Sequence, residues 1–507
     1  MKMLVISVIR AVMLLTGVSD AEDLDETIVE RFEAWASRPL GINGASHDRL
    51  MSSGLFSNYQ VATLCDYREN NGDILSVAEL ALVDGFDDTV AEALSLFVSF
   101  DPVSDIGALP DKKKRGKAEI IARGSDKKGL DGKVRYTTDM WSVAATMATA
   151  YADVAGRRGR VILGNFNARF GQGLVMWSGF EMSGLRDAAS FEKRASALSP
   201  SWSYTGSGTL RGIAGTYSWR GWQLSAVAAK SNLGANLTWY GRRGQAGVSV
   251  FCIENECMAS VDVRYNVNGT GFFGECAYAP VRKTGAFRAG VRKKVYDRII
   301  AGIMIEAIPS GYSGKKNGEY GADAGIIITR DKWRLSATTQ YMLLPRPDKP
   351  GKRNQWKSVI TGQWQVSQVV KLAFRATERL RTYDVRNKTG LRADIVWSNG
   401  ILTFDGRTEA VRCDKWGLLS YVEAGRTNDS FGVWLRVTGY RADKWNDRVY
   451  CYERDAPGSF NVPAYYGRGG AVSAVLSWKK RWRRARMKIY ARTSTKTGHK
   501  LQVMLDF

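Results

Sequence analysis

Ser260-Val261-Asp262-Val263-Arg264-Tyr265-Asn266-Val267 alternates strictly between polar and apolar residues, so an extended chain here has one dry face and one wet face. The same two-residue period runs through Val370, Leu372, Phe374 and Ala376 set against Lys371, Ala373, Arg375 and Thr377. It returns in Ala485, Met487, Ile489 and Ala491 set against Arg484, Arg486, Lys488 and Arg492. It holds from residue 116 to the end of the 507-residue chain. A soluble sandwich also alternates, but in domains of roughly 100 residues whose apolar faces meet each other. So long a run of alternation fits a sheet closed in lipid, because closure leaves no backbone group unpaired there. The expectation is mainly β: a large antiparallel transmembrane β-barrel of about 18–22 strands over residues 116–507.

The composition agrees, since 52 glycines and only 11 prolines suit many strands joined by turns. Beyond the N-terminal segment there is no run of about 18 apolar residues, so strands, not helices, must do any crossing. Trp177, Trp202, Trp219, Trp222 and Trp239 fall near predicted strand ends, where indole rings suit the headgroup boundary. At the end, Leu501, Val503, Leu505 and Phe507 alternate with Lys500, Gln502, Met504 and Asp506. This stretch resembles the terminal strand by which outer-membrane barrels are recognised for assembly.

The charge is divided. Residues 1–105 hold 6 Lys/Arg against 18 Asp/Glu, leaving 67 against 32 for the rest of a chain whose net charge is +23. An acidic and a basic body are therefore expected, with different surroundings. Lys2, the apolar stretch Met3 to Val18 and the small-residue site Ser19-Asp20-Ala21 before Glu22-Asp23 read as a signal peptide over residues 1–21, although Arg10 would also suit an amphipathic first helix. A basic linker, residues 106–115, carries Lys112-Lys113-Lys114-Arg115.

Residues 22–105 have helical spacing, as in Val61, Leu64, Cys65 and Tyr67 before the Asn70-Asn71-Gly72 stop. A first helix starts near Ser46, a turn covers Gly54 to Asn58, Ser76 with Glu79 reads as a capping box, and a last helix runs to Val98. Ile42-Asn43-Gly44-Ala45-Ser46, Tyr67-Arg68 with Gly72, and Ser76-Val77 with Leu80 resemble the tandem helix-hairpin-helix module of competence-type DNA receptors. In that family each hairpin carries Gly-apolar-Gly, whose bare backbone N–H groups cradle a DNA phosphate. Here the first hairpin's glycine positions hold Leu55 and Ser57, and in the second Gly85 is followed by Asp87. A carboxylate at Asp87, beside Asp88, would repel a phosphate, so the domain is expected to keep the hairpin fold and serve as an adaptor.

Two further stretches, Gly164-Asn165-Phe166 through Phe170-Gly171-Gln172-Gly173-Leu174 to Trp177-Ser178-Gly179-Phe180, and Tyr452-Glu453 through Pro457-Gly458 to Tyr466-Gly467, are similar to segments of outer-membrane helix-hairpin-helix proteins of Bacteroidota. That resemblance implies an outer-membrane barrel with its helical domain in the periplasm.

Catalysis finds little support, since only His47 and His499 are available and neither sits in a constellation with a nucleophile or metal ligands. No cofactor is expected, and the six cysteines show no zinc spacing. Cys252 and Cys257 either close a hairpin disulfide or stay as thiols. Arg375, Arg379, Arg484, Arg486, Lys488 and Arg492 fall on the polar side of their strands. They either line an anion-favouring lumen or meet lipopolysaccharide phosphates at the rim, and a basic barrel could also hold the acidic domain as an electrostatic plug or dock. Three functions are expected to compete: a conduit for a polyanion such as DNA, a membrane anchor whose helical domain binds a periplasmic protein, and a porin for small anions.

Overall fold

The computed structural model describes residues 4–18, 24, 26–37, 39–45, 47–101 and 116–507, apart from 128, 139, 157, 180–184, 231, 242, 254–255, 297, 313–317, 331, 347–350, 385–386 and 483–484. Twenty-four antiparallel strands close into one barrel, each joined to its neighbour in sequence. The seam pairs the last strand, Gly498–Asp506, with the first, Lys117–Ser125, in the register Asp506↔Glu119 to Lys500↔Ser125. The short strand Ala197–Pro200 is extra to the ring. It pairs with Phe166 to Arg169 at the end of the strand Gly159–Arg169, whose pairing with its ring neighbour Leu210–Trp219 runs from Gly159 to Phe166.

The count exceeds the expected 18–22. Trp141–Thr146 and Ala150–Ala155 are strands of six residues each, mostly Ala, Ser, Thr and Val, around a three-residue turn, and such short stretches read as a single strand when only long apolar rows are counted. Among the described residues no helix is long and apolar enough to cross a membrane.

The alternation sorts as the sequence requires. Val261, Val263 and Tyr265 are 53%, 49% and 45% exposed, whereas Ser260, Asp262 and Arg264 are buried. A row of exposed apolar side chains (Ile303, Ile360, Leu391, Leu435, Leu476 and Leu501 among them) forms the outer band expected of a lipid-facing wall. Aromatic rings edge it. Trp219, Trp222 and Trp239 lie opposite one another in register, as do Trp333 with Trp364 and Phe431 with Trp478. At the other rim stand the exposed Tyr278, Tyr341, Trp356 and Trp416. Trp177 and Trp202 depart from the expectation: they are not in a girdle but inside, under Lys193 and under Lys133 and Arg135.

The two rims differ. At the rim where the barrel begins and ends, no connection exceeds four residues. The opposite rim carries the long connections 170–209, 309–318, 344–353 and 443–466. Cys252 and Cys257 face each other across the tight hairpin at this second rim and are disulfide-bonded, which settles the alternatives left by the sequence.

The acidic N-terminal body is helical: α1 Leu4–Thr16, α2 Glu26–Ser37, α3 His47–Ser53, α4 Asn58–Asn71, α5 Val77–Leu82 and α6 Asp88–Leu94. Helices α3–α4 and α5–α6 form two successive hairpins around fully buried Leu50, Leu55, Val61, Leu64, Ile74, Leu80 and Leu94. Buried Asn43 ties the loop before them to the loop between them, its amide bonding the carbonyl and the N–H of Ile74 at 2.9 Å each. The last helix ends at Leu94, short of the expected Val98, because Val98 and Ser99 instead pair in parallel with Leu40 and Gly41. Ser76 caps α5 as expected, accepting the Glu79 N–H at 3.1 Å, but the reciprocal box lies at the start of α4. Ser57 accepts from the Gln60 N–H while Gln60 accepts from the Ser57 N–H, whereas Glu79 turns its carboxylate to the N–H of Leu75.

An arginine at the middle of the lipid face should be costly. Val261→Arg is expected to destabilise the barrel by about 2–4 kcal/mol in a folding equilibrium with lipid vesicles, the usual cost of that residue at the bilayer midplane. A loss below about 0.5 kcal/mol would remove the lipid-facing assignment of that row.

Candidate functional site: the filled lumen

The inward face of the barrel is polar, and it is not left to water. Both long internal stretches that resembled the outer-membrane proteins turn inward from the long-loop rim, and the helical body meets them. In the segment 170–209, Gly171 adopts φ +56, a left-handed conformation in which any Cβ would fall 2.7 Å from the Glu275 carboxyl group. This close approach lets the wall residue Glu275 accept the backbone N–H groups of Gln172 at 2.6 Å and Leu174 at 3.1 Å. Arg264 of the wall donates to the Gly171 carbonyl at 2.8 Å and pairs with Glu192 at 2.7 Å.

The second segment, 443–466, carries three consecutive charges, two of them ion-paired with the wall and the first held by hydroxyls. Glu453 accepts from the hydroxyls of Tyr465, Ser494 and Thr497. Arg454 binds Glu423 at 2.6 Å, and Glu423 also takes Arg436 at 2.9 Å. Asp455 takes both Arg492 at 2.9 Å and Lys500 at 2.8 Å. Asp447 anchors the start of the segment by accepting the N–H groups of Cys413, Asp414 and Lys415 at 2.8–2.9 Å. Charges taken out of water this completely need such pairing, since the desolvation of a lone ion would cost several kcal/mol.

The helical body completes the filling. Glu30 of α2 pairs with wall residue Lys133 at 2.8 Å, and Glu33 accepts the backbone N–H of Gly458. Arg10 of α1 reaches wall residue Asp405 at 2.9 Å. Arg194, from the first inward segment, donates to the carbonyls of Leu55 and Leu15. Its burial pulls the guanidinium down to about 10, the Asp187 carboxylate opposing that shift, so it stays charged at neutral pH. The acidic helices therefore lie against inward-facing strand residues, as a plug within the wall where the sequence left plug and dock open.

The basic row named from sequence points inward, but not as a free stripe of cations. Arg375 pairs with Glu409 at 3.0 Å, Arg492 with Asp455, and Lys488 and Arg486 share Asp506 at 3.5 and 3.6 Å near the short-turn rim. Arg379 is also partnered. Arg484 lies outside the described residues. The sequence missed the carboxylates that meet these cations, because Glu409, Glu423 and Asp455 are far from them in the chain and carry no motif.

The hairpin positions have structural work. Leu55 is fully buried, Ser57 caps α4, and Asp87 caps α6 by accepting the Val90 N–H at 2.7 Å. Gly85 takes φ +86, and its carbonyl accepts from the Gln60 side chain at 2.9 Å. One N–H at the start of each second hairpin helix, Gln60 in α4 and Val90 in α6, is thus bonded to the helix's own cap. Cys65 is similarly inert, burial pushing its thiol up to about 11. His499 bonds Thr493 at 2.9 Å, and among the described residues no group of His, Cys, Asp and Glu could hold a metal ion.

A cavity of about 930 Å³ stays open between α1, α6 and the wall, reaching the short-turn rim at Gln365 and Gln368. Its wall side carries Arg334, Lys371, Arg375, Arg392, Arg407 and Arg436 against Asp394 and Asp405.

No protein-family model and no curated protein matches the chain. Solved barrels are similar in fold. A chain of the E. coli P pilus tip assembly intermediate PapC-PapD-PapK-PapG matches at 10% identity with a TM-score of 0.48, over 78% of this chain and 62% of that one, less than two thirds of its length. The siderophore receptor PirA from Acinetobacter baumannii matches at 9% identity and a TM-score of 0.39, over 77% and 80% of the two chains. OccK5 (OpdH) of Pseudomonas aeruginosa matches at 6% and 0.31, over 77% and 96%. At these values they say nothing of what this chain binds or passes.

Two outcomes are expected from the site. Glu423→Ala leaves Arg436 and Arg454 buried without their carboxylate, a loss of about 3–5 kcal/mol, and segment 443–466 should become cleavable in limited proteolysis of the folded barrel. An uncleaved segment would mean that this pair does not hold it. Asp87→Ala should cost about 1 kcal/mol as a lost helix cap, read from urea unfolding of the helical body by tryptophan fluorescence.

Proposed function

We propose that this chain is an outer-membrane conduit closed from within by its own helical body and two inward segments. The observation that supports this most is the triplet Glu453-Arg454-Asp455, in which Arg454 and Asp455 pair with charges of the inner wall and Glu453 accepts the wall hydroxyl of Ser494. A purely structural anchor would have no use for a wide lumen filled through exchangeable polar contacts. By the usual asymmetry of such barrels, the short-turn rim faces the periplasm and the rim of long segments faces out. The exposed apolar band supports the membrane setting, and the helices then enter from the periplasmic side.

The cargo best suited to the lining is a small anionic solute. The cavity wall is rich in guanidinium groups held in mixed ion pairs, a surface that can trade a carboxylate partner for a passing anion. A polyanion such as DNA is served less well, since Asp87 sets a carboxylate at the second hairpin and the helical body that fills the lumen is acidic. The adaptor reading survives in part, because a periplasmic partner could act on the helices to open the path.

Planar-bilayer recording is the direct test. Wild-type protein should conduct rarely, and the double variant Glu423→Gln with Asp455→Asn should open more often with an anion-selective reversal potential. Equal silence of a folded double variant would sink the gated-conduit reading. In the same preparation, duplex DNA across a salt series should show no steep salt-dependent binding; a slope approaching that of several phosphate contacts would restore the polyanion reading.

A further inference from the structure

Helix α1 and the two residues after it run along the lumen. Val8 lines the same small cavity as Thr403, Thr427 and Phe431 at the short-turn rim. At the other end, Gly17 accepts the Asp187 N–H at 3.1 Å, and Val18 bridges to Arg186. At about 1.5 Å per residue the 13-residue helix is about 20 Å long. Val8, Val12, Leu15 and Val18 are buried with the core of the helical body, and α1 packs against α2 and α6. Its single charge, Arg10, meets the wall at Asp405, whose carboxylate is 2% exposed. Ile9, Met13 and Leu14 look onto the 930 Å³ cavity.

The same segment carries the marks of an export signal: Lys2, an apolar run and the small-residue site Ser19-Asp20-Ala21. A chain cut after Ala21 loses the helix and keeps the place it fills. We propose that the processed protein presents, at its short-turn rim, a helix-shaped groove between α2, α6 and the wall strand Leu402–Arg412. The groove takes an apolar helix bearing one basic side chain from a periplasmic partner.

The occupant's chemistry follows from what now fits there. One side of the groove is the apolar core that Val8, Val12 and Leu15 cover, so the guest must be apolar along a matching stripe. Without Arg10, Asp405 keeps the Tyr421 hydroxyl at 3.4 Å and the more distant charges of Arg407 and Arg436 but loses its direct ion pair, so its carboxylate is open to an incoming Lys or Arg. The adjoining cavity leaves room for side chains bulkier than Met13 and Leu14. Because α2 also supplies Glu30 to the wall and Glu33 to the inward segment, a guest seated on it would bear directly on the plug.

This inference rests on the outer-membrane reading, and the two can fail separately. The protein would first be isolated from fractionated membranes and its N-terminus determined by mass spectrometry. Absence from the outer membrane would overturn the conduit reading. An outer-membrane barrel that retains residues 1–21 would overturn only the groove. Processed protein in nanodiscs is then titrated with a fluorescein-labelled peptide of residues 4–18, with empty nanodiscs subtracted. Saturable binding is expected, weakened about tenfold or more by Arg10→Glu in the peptide or by Asp405→Asn in the protein, and absent for a scrambled peptide of the same composition. The Asp405→Asn barrel must show the wild-type heat-modifiable shift on electrophoresis. Equal binding of the scrambled or Arg10→Glu peptide, or no binding to a folded barrel, would overturn the proposal.

Discussion

A sheet in hydrocarbon cannot end, because every edge N–H and C=O would be left without a partner and without water. Closure between Gly498–Asp506 and Lys117–Ser125 is the constraint from which the rest follows. Once the ring is closed, each strand has one face in lipid and one in an enclosed interior, and the two-residue period must persist without slippage. A one-residue shift would turn Asp262 and Arg264 to lipid and Val261 and Val263 to the lumen. An even number of strands then returns the chain to the rim it left.

A ring of 24 strands encloses far more space than side chains alone can fill. The interior must hold water or protein, and here much of it is protein. The material is polar where it meets the wall and apolar where it meets itself. Thus Leu50, Leu64 and Leu80 pack within the helical body, while Glu30, Glu33, Arg194 and Arg454 face outward to strand residues or to each other's backbone. The division explains the charge split of the sequence. An acidic insert sits within a basic wall, and neither has to carry its net charge alone.

The fold was legible because lipid enforces alternation on every strand, so that Val261 and Phe374 could be turned outward and Arg375 and Lys488 inward from the period alone. Strand number was less legible, since Trp141–Thr146 and Ala150–Ala155 are too short and too rich in small residues to show a strong row. The helical hairpins were legible from Gly72, Ser76 and Gly85, but the capping box at Ser57 and Gln60 was passed over in favour of Ser76 and Glu79. Local sequence fixes which side chains can cap, not which acceptor a long glutamate chooses. The site was the least legible part. That Arg492 serves Asp455, and Arg436 serves Glu423, depends on contacts between residues far apart in the chain, and no spacing records them.

The same remoteness governs how the interior can be assembled. The bond from Gly458 to Glu33 spans 425 residues, and Asp455 is held by Arg492 and Lys500, in the last two strands of the barrel. A chain emerging from its N-terminus has made all its helices long before the wall that receives them exists. The contacts that hold Asp455 in the lumen therefore cannot form without the final hairpin, and the C-terminal strands serve at once as seam and as lock.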